Sequence, residues 1–391
     1  MLKIIGYRMF ALIYYICRLF PAGDKRVLCI KTHEEGKGSN VSIVEQALME
    51  KNTGYTFSYI RKSDTLAVKG FKDIRSLLSF FVIKPYQLAR ARIILQDNIF
   101  LPFAYLHLKK GVKVIQLWHG TGTIKKFGQD VNTGTLKELE KRANQRITHL
   151  IVNSYEMKKL YAGAFGIKED KIYPIGLPKT DELLRNLQLN YIQQHFNRDK
   201  AYIYNKYAIP SDRKLILYAP TFRDDEANKP SSLHKLEELI KTLPSDYHLG
   251  IRLHPFIAKA AETMFFTDSQ IEERICQLSF EEDMSALLLA ADILITDYSS
   301  VIFEYCLMER PILFYAYDLK EFSDNGRGFY YEYESYVPGP VVYTANEVGE
   351  IIRSNQFDIE RIKSFKQKNF PYLDGKATER LLELIEEDNM R

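Results

Sequence analysis

The stretch ADILITDYSSVIFEY (residues 291–305) decides the fold class of this chain. Its first half is a continuous apolar run that ends at Asp297, and a helical pattern begins near Val301 after a short Tyr-Ser-Ser turn. A strand without alternating polar positions has to be covered on both faces, which is typical of parallel sheets with helices on either side. The stretch therefore predicts one β-α unit of a doubly wound α/β domain.

Comparable runs occur along most of the chain and fall into two series. The first series comprises RVLCIKT (26–32), YTFSYIR (55–61), ARIILQD (91–97), VKVIQLW (112–118) and HLIVNS (149–154), and the second adds KLILYAP (214–220), YHLGIRL (247–253) and PILFYA (311–316) to the run described above. A polar segment near residues 180–213 separates the two series. We therefore expect an α/β fold of two doubly wound, Rossmann-type domains that face each other across a cleft.

A length of 391 residues supports two hydrophobic cores rather than one. We expect an N-terminal helix at residues 1–22, a Rossmann-like domain at 23–190, a second one at 191–345, and helices at 346–391 that cross back to the first domain. Ligands of such open sheets bind outside the carboxyl ends of the strands. Motifs that directly follow strands are therefore the candidates for chemistry.

The composition excludes some classes of protein. Lys and Arg outnumber Asp and Glu by 54 to 50, and this net charge of +4 is too small to indicate nucleic-acid binding. The cysteines have neither a metal-ligand spacing nor the spacing of a compact disulfide framework. We expect them to be reduced core thiols of a cytosolic protein: Cys17, Cys29, Cys276 and Cys306.

The first twenty residues form an amphipathic helical pattern. One face carries Leu2, Ile5, Met9, Leu12, Ile13, Ile16, Leu19 and Phe20. Lys3, Arg8 and Arg18 lie on the other face, and three cations along the segment disfavour a membrane span. They fit a helix that lies in the membrane interface with its cations near anionic headgroups. An ordinary amphipathic helix packed on the protein body is the alternative.

The motif WHGTGTIKK (118–126) follows a predicted strand. After His119 the loop residues are small or hydroxylated: Gly120, Thr121, Gly122 and Thr123. Such a loop can approach a phosphate closely, and we expect a helix beginning near Ile124 to add its positive end. His119 is a candidate base for an alcohol proton, whereas a histidine that only caps a backbone carbonyl is the alternative. The pair Lys125-Lys126 favours the functional interpretation.

Two further motifs place cations after strands of the second series. In YAPTFRD (218–224), Phe222 and Arg223 follow the strand, and a guanidinium suits phosphate, although a surface ion pair is the alternative. In GIRLHP (250–255), strand alternation would put Arg252 and His254 on one side, where both can meet one phosphate. A buried, satisfied histidine is the alternative there.

The opening stretch supplies the remaining candidates. Ser299 and Ser300 stand at the predicted helix start, where hydroxyl and backbone N–H groups can bind phosphate, and simple helix capping is the alternative. Glu304 falls one turn later and can accept hydrogen bonds from ligand hydroxyls. Asp297 has no clear acidic partner for Mg²⁺ in the sequence. The sequence therefore predicts no metal site and no cofactor.

Taken together, WHGT, IKKFGQD, GLPKTD (176–181), YAPTFRD, RLHP and ITDYSSVIFEY resemble, in order and spacing over about residues 90–320, the CDP-glycerol glycerophosphotransferase family of wall teichoic acid synthesis. The resemblance implies a two-domain GT-B-like fold and peripheral, monotopic association with the cytoplasmic leaflet of the cell membrane. It also implies transfer of glycerol phosphate from CDP-glycerol to a lipid-linked acceptor, without a structural metal.

The resemblance also implies roles for individual residues. His119 matches the proposed base of the family, and Arg252 with His254 match its R-x-H-P motif at the donor pyrophosphate. Three residues match donor-phosphate positions: Arg223, Ser299 and Ser300. Lys179 stands where the family usually has arginine, and Glu304 replaces the usual aspartate.

The histidine motif departs from the family pattern HGTPLKKLG, because HGTGTIKKFG is one residue longer and has Gly122 in place of proline. This version is more similar to the short primases, which add one unit to a disaccharide on undecaprenyl diphosphate. We therefore expect CMP to be displaced in line, with His119 as general base and His254 as a second catalytic residue whose loss also abolishes turnover. A polymerase, a CDP-ribitol-using transferase, a GT-B nucleotide-sugar glycosyltransferase and a membrane-bound scaffold without catalysis are the alternatives.

Overall fold

A computed structural model describes residues 2–51, 54–66, 77–192, 196–221, 231–253, 258 and 273–387. The chain forms two compact units. Unit 1 comprises Met1–Gly120, Lys126–Asp181 and Phe370–Arg391, and unit 2 comprises Thr121–Lys125 and Glu182–Asn369. The chain therefore enters unit 2 for five residues directly after Gly120 and returns to unit 1 at Lys126 before it finally crosses at Glu182.

Each unit contains a parallel sheet, with six strands within the described ranges. In unit 1 the strands are β1 (Arg26–Lys31), β2 (Thr56–Arg61), β3 (Ile93–Gln96), β4 (Lys113–Gln116), β5 (His149–Ile151) and β6 (Ile172–Tyr173), in the order β2-β1-β3-β4-β5-β6. In unit 2 they are β7 (Lys214–Ala219), β8 (Tyr247–Ile251), β9 (Ile275–Gln277), β10 (Ile293–Thr296), β11 (Ile312–Tyr315) and β12 (Val341–Val342), in the order β12-β11-β10-β7-β8-β9.

Helices connect the strands. They are α1 (Leu2–Cys17), α2 (Asn40–Glu50), α3 (Lys62–Leu66), α4 (Lys84–Arg90), α5 (Gly134–Asn144), α6 (Tyr155–Phe165), α7 (Pro178–Ile192), α8 (Phe196–Lys206), α9 (Ser231–Thr242), α10 (Met284–Ala290), α11 (Val301–Tyr305), α12 (Leu319–Asn325), α13 (Tyr333–Tyr336), α14 (Ala345–Ser354), α15 (Ile359–Asn369) and α16 (Ala377–Glu387). A π-helical segment (Ser79–Ile83) and short 3-10 turns (Leu101–Tyr105, Gly128–Asp130, Glu169–Lys171, Cys306–Met308) complete the described elements.

The continuous apolar runs become the central strands because both faces of each sheet are covered. Every residue of β3, β4, β10 and β11 is buried. The core of unit 1 joins β3 and β4 to α2 and α16 through Val41, Val44, Leu381 and Ile385. The prediction of doubly wound α/β domains with parallel strands is confirmed.

The strand order identifies where each sheet changes direction. In unit 2 the first strand in sequence, β7, lies between β8 and β10, so that connections run outward on both sides; this is the Rossmann order. In unit 1 the corresponding change lies between β1 and β3. Loops that follow these paired strands at their carboxyl ends form the switch point of each sheet, where ligands of open α/β sheets bind.

The carboxyl-terminal helix belongs to unit 1. The carboxylate of Asp181, which is buried, accepts hydrogen bonds from the backbone N–H groups of Ala377 and Thr378 and from the Thr378 hydroxyl. These bonds satisfy donors that would otherwise be unpaired at the start of α16. By contrast, α14 packs into the core of unit 2 through Val348 and Ile352.

The N-terminal helix α1 packs on unit 1 with its aromatic side. Phe10 is fully buried and its ring lies 5.2 Å from that of Phe80, while the Tyr14 hydroxyl donates to the His107 carbonyl. The apolar stripe on the opposite side is exposed: Ile5, Met9, Leu12, Ile16, Leu19 and Phe20. None of the described helices is both long and apolar enough to cross a membrane.

The four cysteines are buried and free, as the sequence predicted. Cys29 lies in β1, and burial raises the pKa of its thiol to about 12. Cys276 lies in β9, and burial likewise raises its pKa to about 12. Both thiols are therefore uncharged at neutral pH and behave as small apolar side chains.

One buried histidine makes the stability of unit 2 dependent on pH. His248 of β8 is 3% exposed, and neither ring nitrogen has a hydrogen-bond partner within the described residues. Desolvation, reinforced by Arg213 and Arg274, lowers its pKa to about 4. Below pH 6.5 the imidazole is therefore protonated in the unfolded chain, whereas in the folded protein it is protonated only below about pH 4. The free energy of unfolding falls as pH falls through this window.

We expect His248→Leu to raise the free energy of unfolding at pH 7 and to flatten its loss between pH 6.5 and 4. The histidine contributes at most about 3 kcal/mol to that loss. Urea unfolding at pH 7 and pH 5 measures both effects. His248→Gln separates them, because it also cannot titrate but keeps unpaired polar atoms. An acid loss of stability that is the same in all three proteins would contradict this explanation.

Candidate active site

His119 lies in the loop after β4, behind a residue of unusual backbone conformation. Trp118 has a φ of 51°, in the left-handed region that side chains other than glycine rarely adopt. Its N–H donates to the Gln116 side chain at 3.0 Å, and its ring stacks on Phe127 and meets Phe165 edge-on. This packing offsets a backbone strain of about 1–3 kcal/mol, which is typical of functional loops.

The His119 ring is held at one nitrogen. Its Nδ1 lies 3.2 Å from the carbonyl oxygen of Asp97. Because a carbonyl only accepts hydrogen bonds, the proton of the neutral ring is on Nδ1 and Nε2 carries the lone pair. The arrangement is that of a general base with a fixed tautomer.

A second imidazole covers the ring of His119. His33, in the loop after β1, stacks on it with ring centroids 3.7 Å apart and planes 6° from parallel. Desolvation, followed by the charge of His33 and then that of Lys179, lowers the pKa of His119 to about 3, against an opposing hydrogen bond to Asp97. His119 is therefore neutral at physiological pH.

The buried carboxylate of Asp97 fixes the loop that carries His33. One of its oxygens accepts from the N–H of Thr32 at 2.9 Å, and the other accepts from the N–H groups of His33 at 3.1 Å and Glu34 at 2.9 Å. A carboxylate out of water requires such donors. Through its carbonyl and its carboxylate, Asp97 thus orders both histidines at the switch point of unit 1.

Lys179 lies at the start of α7 and supports the loop that carries His119. Its Nζ donates to the carbonyl oxygen of His119 at 2.8 Å, and its backbone N–H donates to Asn40 Oδ1 at 2.9 Å. The amide of Asn40 in turn donates to the carbonyl oxygens of Leu117 and Trp118. The structure therefore gives Lys179 a place in the support of His119. Its expected role in substrate binding stays a prediction.

The threonine hydroxyls of the segment Thr121–Lys125 donate hydrogen bonds within unit 2. Thr121 Oγ1 donates to the carboxylate of Glu304, and Thr123 Oγ1 donates to the carbonyl of Lys125 at 2.6 Å. A Cβ on Gly122 would lie 2.5 Å from the ring of Phe303. The segment is thus packed tightly against α11, and Gly120, whose carbonyl accepts from Tyr161, precedes it in unit 1.

The expected helix near Ile124 is wrong. Lys125 forms an antiparallel bridge with Phe329, and the N–H of Tyr330 donates to the carbonyl of Ile124 at 3.0 Å. Pairing with another chain segment occupies Ile124 and Lys125. Among the described residues of this loop, no α-helix begins near Ile124.

The switch point of unit 2 repeats the arrangement of unit 1. The carboxylate of Asp297, after β10, accepts from the N–H of Thr221 at 2.7 Å and from the N–H of Tyr298. Lys125 Nζ lies 3.5 Å from the Thr221 hydroxyl, so a cation stands at this point. Ser299 and Ser300 follow on the adjacent turn.

Ser299 and Ser300 precede the five-residue helix α11. Ser299 Oγ accepts from the N–H of Val301 at 3.3 Å, whereas the Ser300 side chain makes no capping bond. Glu304 on the same helix is engaged by Thr121. Its expected contact with ligand hydroxyls stays a prediction.

Arg252 follows β8 rather than lying in it, because the strand ends at Ile251. Its Nη1 donates to the carbonyl oxygens of Leu278 and Glu281, both at 2.9 Å, and burial lowers the pKa of the guanidinium. These bonds orient the side chain.

Three expected site residues lie outside the described residues: Phe222, Arg223 and His254.

Sequence reasoning missed His33, Asp97 and Asn40. The predicted site motifs follow β4, β7, β8 and β10. Polar residues also follow the apolar runs of β1 and β3, as THEE (32–35) and QD (96–97). Parallel strands end at the same edge, so these residues belonged among the candidates. Across the described ranges, no three or more His, Cys, Asp or Glu side chains lie together in a way that would hold a metal ion.

Comparison with known proteins gives a family. A family model described as CDP-Glycerol:Poly(glycerophosphate) glycerophosphotransferase matches residues 12–387. The teichoic acid glycerol-phosphate primase of Bacillus subtilis is 34% identical over 306 residues, which are 77% of this chain and 75% of the primase. The teichoic acid poly(ribitol-phosphate) polymerase of Bacillus spizizenii is 29% identical over 96% of this chain, which spans 58% of that polymerase.

A solved structure gives the fold. The wall teichoic acid polymerase TagF matches with a TM-score of 0.75 and 25% identity, over 99% of this chain and 95% of that chain. The expected GT-B-like class, with two parallel-sheet α/β domains, is confirmed.

We expect Asp97→Asn to be strongly unfavourable despite its small change in shape. Either orientation of the amide turns its NH₂ group toward a backbone N–H, of Thr32 on one side or of His33 and Glu34 on the other. The expected loss is about 1–3 kcal/mol of unfolding free energy, because buried donors lose their acceptor. Urea unfolding measures it, and hydrogen exchange of the three amides should accelerate.

The control is Asp170→Asn, which makes the same chemical change at an exposed position of unit 1. It should alter stability by no more than about 0.5 kcal/mol. Unchanged exchange of the three amides in Asp97→Asn would show that the carboxylate does not hold the loop.

Proposed function

Because the chain belongs to the CDP-glycerol:poly(glycerophosphate) glycerophosphotransferase family, we propose that it moves glycerol phosphate from CDP-glycerol to a hydroxyl of an undecaprenyl-diphosphate-linked disaccharide and releases CMP. The chain is an enzyme of this transferase family, whose relatives act in teichoic acid synthesis. The observation that carries the proposal is the neutral imidazole of His119, fixed at Nδ1 by Asp97.

In this reaction His119 acts as general base. An acceptor hydroxyl at Nε2 gives its proton to the ring as its oxygen forms a bond to the glycerol-bearing phosphorus. The bond from that phosphorus to the bridging oxygen breaks in line, and its electron pair leaves with CMP. The proton returns to solvent from the imidazolium, so that the enzyme is restored.

The low pKa of His119 is compatible with this role. The ring is neutral over the whole physiological range, and its lone pair is therefore always available. An anionic substrate next to it would raise its pKa, because a nearby negative charge favours the protonated form. Basicity thus increases when substrate is bound, which is when the proton has to be accepted.

The donor diphosphate is assigned to unit 2. Lys125 and Thr221 stand at its switch point, and Ser299 and Ser300 follow on the next turn. Arg252 Nη1 donates to two carbonyl oxygens. We assign the N–H groups of Nε and Nη2 to the phosphate. Preorganised donors of this kind stabilise the charge that develops on the leaving phosphate.

Arg223 and His254 are proposed at the same diphosphate by the family motifs alone. Phe222 is proposed beside them. A change of Arg252 or His254 is then expected to act on donor binding and turnover, since both stand in the R-x-H-P motif.

Addition of one unit, as by a primase, is favoured over polymerisation. The glycerol-phosphate primase relative supports this choice, because it shares 34% identity and three quarters of its length with the chain. The poly(ribitol-phosphate) polymerase relative supports the second candidate, a polymerase or a CDP-ribitol-using enzyme.

We further propose that α1 docks the enzyme on the cytoplasmic leaflet. Its exposed stripe is apolar, whereas its opposite side is fixed to unit 1 by Phe10 and Tyr14. Leu12 and Ile16, at the middle and end of this stripe, are 61% and 54% exposed. Lys3 and Arg8 are exposed on the same helix and suit anionic headgroups.

The reaction is tested with purified protein, CDP-glycerol and a lipid-linked disaccharide. We expect release of CMP and, by mass spectrometry, one added glycerol phosphate per acceptor. His119→Ala should lower the rate by about 10²–10⁴-fold, the usual contribution of a general base. Long products would favour the polymerase, and turnover of CDP-ribitol alone would change the donor.

The matched control is His107→Ala, which removes an exposed histidine of the same unit that is bonded to Tyr15. It should not affect CMP release in detergent, where membrane docking is not required. Wild-type rates in His119→Ala would exclude this histidine as the base.

Membrane docking is tested by Leu12→Glu, at a position of α1 that is 61% exposed. A charge within the stripe should weaken binding to anionic phospholipid vesicles by about ten-fold or more, because apolar burial drives interfacial binding. Vesicle co-sedimentation at low and high salt measures this effect. Leu136→Glu, in α5 and 45% exposed, makes the same change elsewhere and should bind as the wild type does. Equal binding of both variants would remove α1 from the interface.

A further inference from the structure

The imidazole of His33 lies over that of His119. The two centroids are 3.7 Å apart and the planes are within 6° of parallel, so one whole face of the His119 ring is covered. His33 itself is exposed, whereas His119 is partly buried. The outer ring therefore stands between the inner ring and water on that face.

The position of His33 is fixed by the chain around it. Its N–H and that of Glu34 both donate to one oxygen of the Asp97 carboxylate, and the Thr32 N–H donates to the other. The carbonyl of Asp97 accepts from His119. Asp97 thus holds the backbone of His33 and the ring of His119, so that both members of the stack are attached to one residue.

Stacking has two physical consequences for His119. A flat ring in contact with one face opposes rotation of the imidazole and thereby keeps Nδ1 on its carbonyl acceptor. It also excludes water from that face, which disfavours the charged form of the ring. Both consequences depend on a flat ring at position 33.

The charges around His119 come from three elements. His33 faces it from the loop after β1, and Lys179 approaches from α7 with Nζ on the His119 carbonyl. The end of β3 presents the carbonyl of Asp97, whose carboxylate is directed at residues 32–34. Desolvation is the largest cause of the low pKa of His119, and His33 and Lys179 lower it further.

We propose that His33 is a positioning residue for the base: its ring, carried by a backbone that Asp97 holds, keeps His119 in one orientation and in the neutral form with Nε2 as acceptor. The consequence for catalysis rests on the proposed function of His119, whereas the effect on the His119 ring does not. His33 acts through His119 and is not required to touch substrate.

The test compares His33→Ala, which removes the flat ring, with His33→Phe, which keeps a flat ring without the imidazole nitrogens. NMR of protein labelled with ¹³C in histidine Cε1 measures the pKa of His119 without any substrate. Its resonance is assigned by its loss in His119→Gln. In the wild type His119 should stay neutral down to pH 5, since its pKa is about 3.

We expect His33→Ala to raise the pKa of His119 by about one pH unit or more, because one ring face becomes hydrated. In His33→Phe the pKa of His119 should stay below that in His33→Ala, because the flat ring keeps water from the same face. His107→Ala, at an exposed histidine outside the stack, should not move the His119 resonance. An unchanged pKa in His33→Ala, or equal pKa values in the Ala and Phe variants, would overturn the proposal.

Activity gives a second readout. His33→Ala should lower kcat by about ten-fold with an unchanged KM for the donor, since the base is less well oriented. His33→Phe should restore most of kcat, and the acid limb of kcat/KM should follow the NMR pKa. If NMR shows the effect of the ring but His119→Ala still releases CMP at the wild-type rate, the stack stands and the proposed base is wrong.

Discussion

The candidate active site of unit 1 depends on one buried carboxylate. Asp97 lies at the end of β3, where a charge out of water is unfavourable unless donors surround it. The backbone N–H groups of Thr32, His33 and Glu34 supply them, and the loop after β1 is thereby fixed. Because the carbonyl of the same residue accepts from His119, the requirement to satisfy one charge orders both imidazoles.

Unit 2 uses the same solution at the equivalent place. Asp297 ends β10 and accepts from the N–H of Thr221, which follows the neighbouring strand β7. In both sheets the aspartate and the bound loop belong to the two strands between which the connections change direction. At a switch point the loops after the two strands diverge and leave a crevice. A buried carboxylate accepts hydrogen bonds from the backbone N–H groups beside this crevice and so keeps them ordered.

Hydrophobic periodicity and the positions of strand ends predicted the central strands and the place of His119. They did not predict contacts between residues that are far apart in the chain. Continuous apolar runs predicted the central strands, but β6, β9 and β12 are two or three residues long and lie at sheet edges, where no such run is needed. The place of His119 after β4 was predictable. The cover by His33 was not, because Asp97 holds the backbone of His33 from a position 64 residues away in the chain. Likewise, the engagement of Glu304 by Thr121 spans 183 residues.

The glycine in HGTGT has a physical reason that is specific to this chain. Gly122 lies in the short stretch that belongs to unit 2, and any Cβ there would meet the buried ring of Phe303 at 2.5 Å. The proline of the family pattern therefore does not fit against Phe303 as it stands here. The extra residue of the motif lies in the same stretch, which runs extended to pair with Phe329 and Tyr330. Packing of this stretch in unit 2 is a sufficient reason for the glycine at position 122, and the phosphate contacts expected of residues 120–123 stay a prediction.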